Sequence, residues 1–250
     1  MKAMARLTLL LVLLWVGTTV STVVDVHKRI IGGEDCGKEE RLYHVKLVDQ
    51  NNNFICGGSL ISKQWVLTVA HCWKSGFKLS VILRVHPGKR AKSVDIKAKD
   101  IKTYQYHDIM LLKLPRRRIL IKTIKLGDCT TKPQLGASVQ IAGHATTNVN
   151  SKNEFVPQRV DDLQCADIKV VACTGLGYTM WRTQSTADHW FCGEDTKVHA
   201  APGDSGGGVV FDGRLYGLIQ GGGKRAWDLT NRFPKHLTNP MTEYDSTTKK

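Results

Sequence analysis

The sequence predicts an all-β chain. Two observations carry this: short apolar, β-branched runs recur between turn-rich breaks, and little of the chain shows the apolar spacing of an amphipathic helix. Val45-Lys46-Leu47-Val48 opens the series. Residues 49–53, Asp-Gln-Asn-Asn-Asn, form a hairpin tip, because Asp and Asn accept turn backbone and bond to it locally. The run 54–61 returns, and 65–70 follows after a short break. Further strands are expected at 79–85, 94–98, 109–114, 139–142, 208–211 and 215–220.

Residues 1–21 read as a secretory signal peptide: Lys2 and Arg6 precede the apolar run from Leu7 to Gly17, and the small residues Thr18 to Ser21 follow. The apolar run is short for a membrane span, and cleavage is expected near Ser21. All seven cysteines lie beyond residue 29, so with a secretory leader they imply disulfides formed in an oxidising compartment. The formal charge is +14; residues 1–29 hold four basic and one acidic side chain, which leaves +11 on the remainder. Lys89-Arg90-Ala91-Lys92 and Arg116-Arg117-Arg118 concentrate that charge. Such a surface attracts polyanions such as sulfated glycosaminoglycans, or steers acidic substrates. A secreted chain is not expected to meet nucleic acid.

The chemistry centres on Gly203-Asp204-Ser205-Gly206-Gly207. Flanking glycines let the backbone take conformations that a side chain forbids, so N–H groups can converge beside the Ser205 hydroxyl. A serine hydroxyl is a poor nucleophile at neutral pH and needs an imidazole to take its proton and a carboxylate to hold that imidazole. Val66-Leu67-Thr68-Val69-Ala70-His71-Cys72 offers His71 at the end of a strand, and His107-Asp108-Ile109-Met110-Leu111-Leu112 offers Asp108 at the head of another. Taken singly, the first is an ordinary structural histidine and the second an ordinary turn former. Together, in the chain order His, Asp, Ser, they resemble the triad of the chymotrypsin-like (trypsin-like) serine proteases, the worked template for this chemistry. The resemblance spans about residues 30 to 233.

The resemblance implies two packed six-stranded antiparallel β-barrels with the active site in the cleft between them. The first barrel would span about 30–135 and carry His71 and Asp108, the second about 136–233 and carry Ser205, with an irregular tail at 234–250. Ser205 would be the nucleophile, His71 the general base and Asp108 its orienting partner, with the N–H groups of Gly203 and Ser205 as oxyanion hole. Lys28-Arg29 followed by Ile30-Ile31-Gly32-Gly33 resembles the family's activation site. Residues 22–29 would be a propeptide, and a cut after Arg29 by another protease would free the Ile30 amine to pair with Asp204. The chain would thus be a secreted zymogen, held in secretory granules in some members of the family, and monomeric. The resemblance also pairs Cys36 with Cys165, Cys56 with Cys72 and Cys173 with Cys192. Cys129 is left as a free thiol, an intermolecular link or a sign of other pairing. No cofactor is called for, and the loop after His71 carries lysines where calcium-binding trypsins carry carboxylates, so no metal is expected.

Several residues depart from the family's pattern. His199 stands at the floor of the primary pocket, where a trypsin has Asp; this disfavours Lys or Arg substrates and favours acidic or polar ones. Ala201 replaces a cysteine, so the disulfide joining the pocket walls is missing. Gln220-Gly221-Gly222 replaces the usual Ser-Trp-Gly of the substrate-pairing strand, and His144 replaces a common Trp. Pro234 and Pro240 interrupt the tail where the family ends in a helix. These changes keep a second class of function in view: a catalytically weak homologue that acts by binding polyanions or surfaces.

Overall fold

The computed structural model describes residues 30, 32–88, 90–104, 107–128, 131–145, 162–173, 190–221 and 227–230. The expected signal peptide and propeptide, including Arg29, together with Cys129, Gly222 and the tail from 231, lie outside the described residues. What is described is almost entirely antiparallel β, in two curled sheets.

The first sheet contains β2 (His44–Val48), β3 (Phe54–Leu60), β4 (Trp65–Thr68), β5 (Leu79–Leu83), β6 (Lys92–Ile96), β7 (Ile101–Thr103) and β8 (Met110–Lys113), in the order β6-β5-β2-β3-β4-β8-β7. β6 and β7 run the same way and are separated only by a 3-10 turn, Ala98–Asp100. One bent stretch of chain therefore pairs with β5 at one edge and β8 at the other, which curls the sheet round and brings it to six strands in effect. The strands alternate as a pleated, half-buried surface requires: Leu79, Val81 and Leu83 point into the core while Ser80 and Ile82 are half-buried.

The second sheet contains β1 (Glu34–Asp35), β9 (Ser138–Gly143), β10 (Gln164–Val171), β11 (Trp190–Glu194), β12 (Gly208–Phe211), β13 (Arg214–Gly221) and β14 (Trp227–Thr230). Its order is β1-β10-β11-β14-β13-β12-β9, and a further pairing of β9 with β10 closes six of these strands into a ring, with β1 outside it. Each sheet encloses its own apolar core: Leu47, Leu60, Leu67, Val81 and Leu112 in the first, Val139, Ile141, Ile168, Val209 and Ile219 in the second. Leu215 and Leu218 of β13 pack into the first core, so the barrels meet along that strand.

The strands expected from the sequence are all present with ends shifted by one or a few residues. The expected run 65–70 stops at Thr68, because Ala70–Cys72 turns into a 3-10 helix. β1, β7, β10, β11 and β14 were not expected. β10 is interrupted by the exposed Asp167 and Lys169, and β7 is only three residues long, so neither forms a continuous apolar run.

Candidate active site

His71 and Asp108 are brought together by the pairing of β4 with β8. These strands are antiparallel, with Thr68 opposite Met110, so the chain leaving β4 and the chain entering β8 lie at the same end. His71 sits in the 3-10 turn just past β4, and the disulfide Cys56–Cys72 ties that turn back to β3. Asp108 Oδ1 accepts the His71 backbone N–H at 2.7 Å, and Oδ2 lies 2.5 Å from His71 Nδ1. The carboxylate thus grips the histidine at two points, while among the described residues the Ser205 hydroxyl bonds the Gln220 carbonyl and not the His71 ring. Burial alone would push the Asp108 carboxyl up, but the hydrogen bonds and charge of His71, with a hydrogen bond from Gln220, hold it below the ordinary range.

Ser205 arrives from the second barrel, in the turn between β11 and β12. Gly203 has φ +105° and Gly206 φ +79°, a region that favours glycine. A Cβ on Gly206 would overlap Thr68 Oγ1 and the Gly57 carbonyl oxygen, so the glycine there also permits close docking of the turn on β3 and β4. That docking is held by the Gly57 N–H, which donates to the Ser205 carbonyl at 2.8 Å. Within the turn, the N–H groups of Asp204, Gly206 and Gly207 donate to Ala201, Ile219 and Asp204 carbonyls. Among the described residues, the N–H groups of Gly203 and Ser205 meet no backbone acceptor.

Gln220, near the end of β13, joins the two halves. Its Nε2 donates to Asp108 Oδ2 at 2.7 Å, and its carbonyl accepts from Ser205 Oγ at 3.3 Å. His71, Asp108, Gln220 and Ser205 therefore form one connected cluster. The sequence placed Gln220 on the substrate-pairing strand; its hold on Asp108 depends on a contact 112 residues away in the chain and left no local signal.

Asp204 is fully buried, and its hydrogen-bond partners lie outside that cluster. Its carboxylate accepts the N–H groups of Ala145 and Ala201, each at 2.9 Å, and no cation contacts it among the described residues. Burial pushes it up to about 6 in spite of those two hydrogen bonds. Gly143 lies directly against the carboxylate, so any side chain there would collide with it. Ile30 is wholly buried in the second core with Val198 and Ala200, and Ala201, the next residue, donates to Asp204. His144 is buried against His44, ring centroids 5.1 Å apart, and edge-on to Phe54. His199 is half-buried, its Nδ1 without a partner among the described residues.

The three disulfides that the resemblance implied are formed: Cys36–Cys165, Cys56–Cys72 and Cys173–Cys192. His71 also lies beside the sulfurs of Cys56 and Cys72, but these are joined in a disulfide and so lack the thiolate charge with which cysteine holds a metal.

The sequence profile of the family described as Trypsin matches residues 30–239. Human "Serine protease 1" is 31% identical over 230 residues, covering 85% of this chain and 87% of its own. "Serine protease VLSP-3" of Macrovipera lebetinus is 33% identical over 213 residues, covering 77% and 76% respectively. Among solved structures, mouse neuropsin, a serine protease of the limbic system, superposes with a TM-score of 0.66 over 87% of this chain and 99% of its own, at 24% identity.

Proposed function

The chain belongs to the trypsin family of serine proteases, and from that premise we propose that it is a secreted serine endopeptidase, made as a zymogen and activated by a cut after Arg29. Ser205 Oγ attacks the peptide carbonyl as His71 takes its proton, and a tetrahedral oxyanion forms against the N–H groups of Gly203 and Ser205. His71 then gives the proton to the leaving amine, and water hydrolyses the acyl-enzyme by the same route in reverse. Asp108 fixes the imidazole tautomer and stabilises the imidazolium. The observation that carries the reading is the two-point grip of Asp108 on His71, linked through Gln220 to Ser205.

In this reading Asp204 takes no part in proton transfer. It awaits the ammonium that cleavage would create at Ile30, whose side chain is already seated in the second core. His199 at the pocket floor, in place of an acid, sets a preference for acidic or polar side chains and against Lys or Arg. Profiling a peptide library with protein cut after Arg29 tests this. The expected outcome is cleavage beside acidic or polar residues, abolished by Ser205→Ala. Preferred cleavage after Lys or Arg would overturn the specificity, and no cleavage of any peptide by folded, cut protein would overturn the activity.

A further inference from the structure

The segment from Arg116 to Lys125 carries five basic and no acidic side chains, and it displays the two most exposed large apolar side chains among the described residues, Ile119 at 73% and Leu120 at 87%. Surface leucines are common singly, but an adjacent apolar pair at a turn tip, ringed by cations, is a different object. The turn is held in shape. Lys63 Nζ donates to the carbonyls of Ile119 and Ile121, each at 3.0 Å, and the Arg118 N–H donates to the Lys63 carbonyl at 2.6 Å. Arg116, Arg117 and Lys122 are exposed around the tip.

Its place in the barrel is fixed by the pairing already described. Trp65 lies opposite Lys113 at one end of β4 and β8, and Thr68 lies opposite Met110 at the other. His71 and Asp108 leave from the Thr68–Met110 end, whereas the 115–122 turn leaves from the Trp65–Lys113 end. The Lys113 ammonium stands over the Trp65 ring, 5.7 Å from its centroid, which adds an aromatic ring and a further cation on that side. The turn and the His71–Asp108 pair therefore lie at opposite ends of β4 and β8.

We propose that this turn is a docking site for an anionic lipid surface, with Ile119 and Leu120 entering the headgroup–acyl boundary and the surrounding arginines and lysines meeting lipid phosphates and carboxylates. Charge alone would suit a sulfated polysaccharide equally well, but a polysaccharide gives two exposed aliphatic side chains nothing to enter. An anionic bilayer satisfies both parts, since peripheral binding scales with inserted apolar area plus attraction of basic residues to acidic headgroups. The proposal is independent of catalysis.

Co-sedimentation of the secreted chain, freed of residues 1–21, with vesicles at physiological salt tests it. One set is pure phosphatidylcholine and the other contains a third phosphatidylserine, with heparin–agarose retention measured in parallel. The expected result is binding to the anionic vesicles over the neutral ones, reduced about ten-fold by Ile119→Ser/Leu120→Ser, with heparin retention unchanged by that pair. Arg116→Glu/Arg117→Glu should weaken both. Heat unfolding of each variant checks its fold, and Leu120→Ser alone serves if the pair does not fold. Anionic-vesicle binding that is absent, or that the serine substitutions leave intact, overturns the proposal; the second outcome with retained heparin binding would mark the turn as a polyanion site only.

Discussion

Gln220 Nε2 donates to Asp108 Oδ2 while the Gln220 carbonyl accepts from Ser205 Oγ, so one residue touches both barrels' contributions to the cluster. Removing the amide should loosen Asp108 without altering the fold. Gln220→Leu is expected to lower kcat/KM about ten-fold with little change in KM, roughly the 1.4 kcal/mol of one charge-assisted hydrogen bond; a KM-only effect would assign Gln220 to substrate binding instead. Asp204 and His44 make a second, pH-dependent test. Asp204 is raised by burial to about 6, so between its ordinary 3.8 and that value the folded chain holds a proton that the unfolded chain has lost, and stability falls as pH rises. His44 is lowered to about 3, chiefly by burial and then by the charge of Arg41, so it acts in the opposite sense: its contribution is present above its ordinary 6.5 and lost as pH falls toward 3. The two opposing slopes overlap, so wild type alone would hide them. In uncut protein, Asp204→Asn should gain on wild type as pH rises from about 4 to about 7, by on the order of 3 kcal/mol in urea unfolding. A difference that stays constant with pH would refute the uncompensated charge.

β4 and β8 do the positioning at the next scale, since their register delivers His71 and Asp108 to one end and the basic turn to the other. The Cys56–Cys72 bridge closes a loop with a sequence separation of 16. Replacing both cysteines by alanine should cost about 3 kcal/mol of unfolding free energy, with kcat falling as the His71 turn frays; an unchanged denaturation midpoint would show the turn to be held by β4 alone. Gly206→Ala should be worse locally, because φ +79° and the overlap with Thr68 and Gly57 both oppose a Cβ. It is expected to abolish activity and destabilise by roughly 2–3 kcal/mol. The strands with continuous apolar runs were legible, as were the glycines around Ser205. β10 offers no continuous apolar run, and its signal is instead the period-two alternation of Ala166, Ile168 and Val170 with the exposed Asp167 and Lys169, which a search for apolar runs passes over. His71, Asp108 and Ser205 could be picked out as candidates because each sits at a strand end or in a glycine-rich turn. The Gln220–Asp108 contact could not, since it exists only once β13 lies beside the first barrel.

For the molecule as a whole, the interface between the barrels decides whether Ser205 meets His71. Arg41, buried just before β2, reaches across to the second sheet. Its Nε donates to Gln140 Oε1, Nη2 to the Gln140 carbonyl and Nη1 to the Gly208 carbonyl, at 2.7 to 2.9 Å. Arg41→Met would strand the buried Gly208 carbonyl and the two partly buried Gln140 acceptors, so a loss of about 3 kcal/mol is expected, with Ser205-dependent activity lost before the barrels themselves unfold. Coincident loss of activity and of both cores would show instead that the barrels melt as one unit. The proposed activation would act on the same interface: the turn that carries Ser205 also carries Asp204, whose buried carboxylate meets no cation among the described residues and would gain one from the freed Ile30 amine. The most direct measurement is labelling with a fluorophosphonate probe, comparing protein cut after Arg29 with uncut protein and with cut Ser205→Ala. Labelling of the cut wild type alone is the predicted result. Absence of labelling in correctly cut, folded protein would contradict the protease reading, and equal labelling of the uncut form would contradict the Ile30–Asp204 switch.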